Sequence, residues 1–179
     1  MSTLNHEQIA VIVRRRLGLE PDAVLRIEPV IGNALNALAI RVAGNYKLRQ
    51  WLLTDPSAVT VTLDSDGNAD LSTIITSNNI LIEYIRYGNV YHADSSYPLQ
   101  WLETLDQLRT PGPYDAMFLH CSLVGTTLYT RSFDDNVTPL TGDLGFAIPY
   151  VPTLSQLPES LTDDLVSTVV SMMETPKAA

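Results

Sequence analysis

Apolar residues change their spacing twice along this chain. Up to Leu52 they recur about every 3.6 residues, from Val59 they tend to alternate, and beyond Val151 the helical spacing returns. A stripe of helical period buries one side of a helix, whereas alternation buries one face of a strand. The expected order is therefore helix, helix, β-rich block, helix. This is an α+β chain in which N-terminal long helices and a C-terminal helix pack with a central antiparallel β-rich module. At 179 residues it suits a single domain, helical over 1–54, β-rich over 57–151 and closed by a helix over 159–174.

Asn5 and Gln8 have capping-box spacing, and Ile9, Ile12, Val13 and Leu17 share one face before Gly18, which predicts a helix over 5–17. Arg14, Arg15 and Arg16 fall in its last turn, where the helix dipole favours cations. They are also candidate contact residues. Pro29 suits the first turn of a second helix, whose stripe runs from Val30 through Leu38 and Val42 to Trp51 and Leu52, with Gly44-Asn45 as a possible break. That spine is expected to stop at Thr54-Asp55-Pro56, because proline pushes the residue before it out of the helical region. Near the C-terminus, Ser160 or Thr162 can cap a helix with Asp163 and Asp164 in its first turn and Leu161, Leu165, Val169 and Met172 on its stripe.

Strands are expected over 58–64, 79–87, 89–92, 98–102, 114–123, 126–131 and 143–150, separated by turn residues such as Asp66-Gly67, Gly88-Asn89, Gly125, Asp134-Asp135-Asn136 and Gly142-Asp143. ILIEYI and AMFLHC are almost continuously apolar and read as central strands covered on both faces. Residues 103–113 read as a loop or one helical turn. VTVTLDSDGNAD reads as a hairpin with an acidic tip at Asp64, Asp66 and Asp70.

The net charge of −9 is unevenly placed. Residues 1–50 carry seven basic and four acidic groups, +3, and the remainder four basic and sixteen acidic, −12. Such a chain does not bind nucleic acid by bulk attraction, which needs positive surface and counterion release. A bipolar layout suits head-to-tail contact between copies, or a wall that repels DNA while one end grips a partner; on charge alone the favoured reading is a solvated acidic surface. No apolar run reaches the roughly 18 residues of a membrane span, and MSTLNHEQ lacks the layout of a signal peptide, so a soluble intracellular protein is expected. The lone cysteine, Cys121, lies within an apolar run and reads as a small buried hydrophobe.

Candidate chemistries fail on spacing. Counting from Asp64, the glycine falls at position four and Ile75 at position twelve, so LDSDGNAD is not an EF-hand loop. His6, His92 and His120 stand apart, without metal-site spacing. His120 and Cys121 are neighbours on a strand and point to opposite faces, which separates a nucleophile from its base. Phosphate-binding glycine loops and nucleophile elbows are missing from the sequence. The expectation is a protein without catalytic, cofactor-binding or metal-ligating residues. Tyr84, Tyr87, Tyr91, Tyr97 and Trp101 cluster around Gly88-Asn89, and the exposed members of such a group make an amphipathic contact surface.

The arrangement resembles the head-to-tail adaptor (head completion, or connector) proteins of tailed bacteriophages over about residues 25–173. Stretches that carry the resemblance include NALNALAIRVAGNYKLRQWLL, AVTVTLDSDGNADLSTII, ILIEYIRYGNVY, YPLQWLETLDQL and FAIPYVPTLSQLPESLTDDLVSTVV. The β-rich block is longer than is typical of that family, and Gly44-Asn45 interrupts the spine. The resemblance implies a dodecameric ring in the virion neck, assembled in the host cytoplasm beneath the portal protein. The ring extends the DNA channel toward the tail and lets DNA pass without specific binding. The acidic tip then faces the lumen or the next tail component. Other structural roles, tail terminator or capsid cement, fit the same composition, and a small enzyme with an aromatic pocket is the remaining alternative.

Overall fold

The computed structural model describes residues 5–110, 119–132 and 138–174. In chain order the helices are α1 (His6–Arg16), α2 (Glu28–Gly44), α3 (Ser72–Ser77), α4 (Leu105–Arg109) and α5 (Thr162–Glu174). The strands are β1 (Thr60–Leu63), β2 (Asn68–Asp70), β3 (Asn89–His92), β4 (Gln100–Trp101), β5 (Leu119–Val124), β6 (Thr127–Ser132), β7 (Thr138–Pro139) and β8 (Gly142–Ala147). The chain divides into two units, Met1–Leu52 with Val151–Ala179, and Leu53–Tyr150. The α+β class with largely antiparallel sheets is as expected. Among the described residues, no helix is long and apolar enough to cross a membrane.

In the first unit α1 begins on a reciprocal cap. The Asn5 side chain accepts from the Gln8 N–H at 2.8 Å, and the Asn5 N–H donates to Gln8 Oε1 at 2.9 Å. Ile9 and Val13 of α1, Ala34, Leu38 and Val42 of α2, and Leu165, Val166 and Val169 of α5 are buried. α5 packs against both α1 and α2. Each fully buried leucine or valine contributes about 1.5–3 kcal/mol relative to exposure, and this burial outweighs the modest intrinsic propensity of such short helices.

The long spine is shorter than its apolar stripe predicts. α2 ends at Gly44, Asn45 turns to extended backbone, and the Asn45 side chain accepts from the Lys47 N–H at 3.0 Å. Residues Arg49–Leu52 then form a separate 3₁₀ turn. Glycine gains little from helix, and asparagine offers the backbone a competing hydrogen bond, so the Gly44-Asn45 break prevails over the stripe.

Among the described residues, the second unit holds two sheets. One has the order β1-β8-β3; the other has the order β2-β6-β5-β4, with β7 also on β6. Pairs are antiparallel except β4 with β5, which is parallel. Val59, Leu63, Leu71, Ile85, Val90, Leu128, Leu144, Phe146 and Ile148 form its core. The expected central strand 114–123 is present as β5, with His120, Cys121 and Ser122 fully buried between β4 and β6. Residues 114–118 and the Asp134-Asp135-Asn136 turn lie outside the described residues. The expected turn of helix within 103–113 is α4.

Two local expectations are corrected. The 79–87 run is not a strand. Asn79 adopts a left-handed φ of 50°, Ile80 makes one isolated bridge to Tyr150, and Ile82–Tyr87 coil into a 3₁₀ helix that buries Ile85. A short apolar run lacks the periodicity to choose between strand and helix, and here contacts to a distant segment accompany the coil, with Leu81 N–H donating to Pro149 O at 3.0 Å. The 58–70 segment is not a simple hairpin either. Its turn closes, with the Asp64 N–H donating to Asn68 O at 2.9 Å, but β1 joins β8 while β2 joins β6. Gly67 O accepts from Thr130 N–H at 2.8 Å, which draws the turn onto β6 and sends the two strands to different sheets.

Candidate functional site

The arginine triplet at the end of α1 divides into three tasks. Arg14 Nε donates to Ala23 O at 2.8 Å and fixes the segment between α1 and α2. Arg16 reaches α5, donating to Ser167 Oγ at 3.0 Å and pairing with Asp163 at 3.2 Å. Arg15 is exposed. Two adjoining shallow grooves run beside these residues and share Val11 and Arg14. One, of about 240 Å³, is completed by Arg15, Leu19 and Pro21. The other, of about 370 Å³, is completed by His6, Glu7, Ala10, Leu25, Ile27 and Glu28. Val11 is 51% exposed and Val24, in the same connecting segment, 91%. Apolar side chains beside guanidinium groups suit a partner that offers both apolar surface and negative charge.

The five sequence-selected aromatics have different fates. Trp101 is half-buried and its indole N–H donates to Gly88 O at 3.0 Å. Tyr84 and Tyr87 are neighbours, their ring centres 5.8 Å apart at 45°. Tyr91 sits on β3 and bridges to Pro98. Tyr97 is 76% exposed, in the loop after β3, and shares that loop with Asp94, whose side chain is 93% exposed.

Carboxylates gather at one end of the three-stranded sheet. The register pairs Leu63 with Gly142, Thr62 with Asp143 and His92 with Leu144. Asp64, Asp143 and Asp94 therefore follow one another across that end. Thr62 Oγ1 donates to Asp143 at 2.6 Å, and Asp64 Oδ1 accepts from the N–H groups of Asp66 and Asn68 at 2.9 and 2.8 Å. Asp64 is thus directed into its own turn. Asp70 faces Ser72, whose N–H and hydroxyl hold its carboxyl below the usual range. The nearby cation, Arg131, donates to the main-chain carbonyls of Asp66 and Thr130. Among the described residues, no group of three or more His, Cys, Asp or Glu is arranged to hold a metal ion.

His92 is fixed by two ring contacts. Nε2 lies 2.7 Å from Thr141 O, and Nδ1 accepts from the Asp94 N–H at 3.2 Å. It borders an open groove of about 370 Å³ with Pro56, Ser57, Tyr91 and Asp143. His120 and Cys121 lie inside the other sheet, and burial raises the thiol well above its ordinary value, so Cys121 is held neutral. Sequence reasoning missed the grooves beside α1, because they need the 18–27 segment folded back on the helix; the Arg14 contact that holds it there spans nine residues.

Charge sorts cleanly by unit. The helical unit carries eight basic and eight acidic groups and is neutral; Leu53–Tyr150 carries three basic against twelve acidic, −9, the whole excess of the chain. No protein-family model matches this chain, and no curated protein sequence matches it either.

Proposed function

We propose that this chain is a non-enzymatic structural protein of a phage virion, a head-to-tail adaptor that forms a ring between portal and tail. The observation that carries this reading is the sorting of charge between the two units. The helical unit is neutral and leaves Val11, Val24, Tyr46 and Trp51 exposed, a surface that neighbouring subunits would cover. The β-rich unit concentrates the −9 charge. A channel wall of that sign repels phosphate and forgoes the counterion release that makes DNA stick, so DNA slides through it. The reading assigns no catalytic residue and no cofactor. Its partners are sister copies, the portal protein and a tail or neck component.

Negative-stain electron microscopy of the purified chain, alone and with the portal protein encoded in the same genome, tests the proposal. The expected images are rings, twelvefold by analogy with the family, with an open centre. A chain that forms no ring and binds no portal defeats it, and attachment to capsid hexamers or to the tail tube reassigns it to a cement or terminator role.

A further inference from the structure

Resting on that reading, we propose that the groove beside α1 receives the loop after β3 of a second copy, with Tyr97 in the apolar groove and Asp94 against Arg15. The receptor side is Val11, Leu19 and Pro21 flanked by Arg14 and Arg15. The donor side is a loop that exposes one aromatic, Tyr97, and one carboxylate, Asp94. A tyrosine supplies large amphipathic area with few torsions to freeze and is favoured at the centre of interfaces. A guanidinium beside it adds attraction to the ring face.

The wider charge pattern points the same way. Asp64, Asp143 and Asp94 lie on successive strands at one end of the three-stranded sheet; the His92 ring lies 3.9 Å from the Asp94 carboxylate, and Arg131 of β6 is directed to main-chain carbonyls. The donor therefore comes from the −9 unit and the receptor from the arginine-bearing end of the neutral one, so unlike surfaces meet and like ones repel. Two different patches in contact make a heterologous interface, which propagates from copy to copy and closes into a ring when the rotation allows.

Sedimentation equilibrium and mass photometry of the full chain across concentration and salt test the contact. Wild type is expected to self-associate and to weaken as salt rises. Arg15→Glu and Asp94→Arg are each expected to weaken association at least tenfold, Tyr97→Ser similarly, and the double charge exchange to recover most of the loss. Circular dichroism checks that each variant keeps its helices, and Tyr97→Ser in an exposed loop provides a variant that does not touch α1. Equal association of all variants and wild type overturns this contact while leaving the ring reading intact. A wild type that stays monomeric at every concentration also overturns it, and the portal images then decide the ring reading separately.

Discussion

Arg16 of α1 and Asp163 of α5 meet at 3.2 Å although 147 residues separate them, and Arg41 of α2 meets Asp164, the next residue of α5, at 3.1 Å. The pairs align α5 on the other two helices. Leu165, Val166 and Val169 supply the burial that holds it there.

Exposed ion pairs contribute roughly 0–1 kcal/mol each, whereas deleting a buried leucine side chain costs about 2–5 kcal/mol. Asp163→Asn is therefore expected to lower unfolding free energy by less than about 1 kcal/mol, with a response to salt. Leu165→Ala is expected to cost several times more and to be insensitive to salt. Guanidinium and urea titrations compare the two, since guanidinium also screens charge.

Gly145 of β8 and Gly88 before β3 are sites of close backbone approach. A Cβ at Gly145 would overlap the carbonyl oxygen of Pro56, and one at Gly88 would meet Ala147 O and lie 2.7 Å from Ile148 Cα. Backbone cannot rotate aside as a side chain can, so either alanine substitution is expected to destabilise by roughly 1–3 kcal/mol or more. Gly125, with open space around its missing Cβ but a φ of 60°, is expected to lose less. Thermal melts of the three variants give the order.

Cys121 is buried without exposure, and desolvation keeps its thiol protonated. Thiol reagents are expected to label no cysteine in the native chain and one in denaturant, the fraction labelled at long times following global opening. The sign of the pH effect follows from the upward shift. The favourable term is fully present below the unfolded thiol value of about 8.5 and is lost as pH rises from there toward the folded value. Cys121→Ala is expected to flatten the alkaline limb of the stability profile; an unchanged limb speaks against the buried thiol as its cause.

Asp55 and Asp70 have carboxyls held below the ordinary range, Asp55 chiefly by the Ser57 hydroxyl and N–H and Asp70 by the Ser72 N–H and hydroxyl. A lowered folded value places their contribution above the unfolded carboxyl value of about 3.9, and it is lost as pH falls through the folded one. The Asp55→Asn/Asp70→Asn double variant is expected to be less stable than wild type at neutral pH and to lose less on acidification. Chemical denaturation at stepped pH values measures both limbs.

Much of the fold was legible because the cues were local. The Asn5–Gln8 cap, the stripes of α1, α2 and α5, the β6 and β8 strands and the turn of helix at α4 are encoded within a few residues of where they act. The α3 helix was overlooked although Leu71, Ile74 and Ile75 have helical spacing, because six residues hold too few turns to display a period. Of the candidate contact residues, Arg15, Tyr87 and Tyr97 remain exposed, while Arg14, Arg16 and Trp101 have structural hydrogen bonds.

By itself the sequence determined the α+β class, the order of the principal elements and the segregation of charge, since these depend on composition and on spacing within each segment. Tertiary structure alone decided that ILIEYI coils, that β1 and β2 part company after Asp64–Asn68 closure, and that the groove beside α1 exists. The reason is that the first two outcomes rest on partners distant in the chain, Pro149 and Thr130, which no local window contains, and the groove rests on the 18–27 segment folding back so that Ala23 meets Arg14, which apolar spacing does not encode.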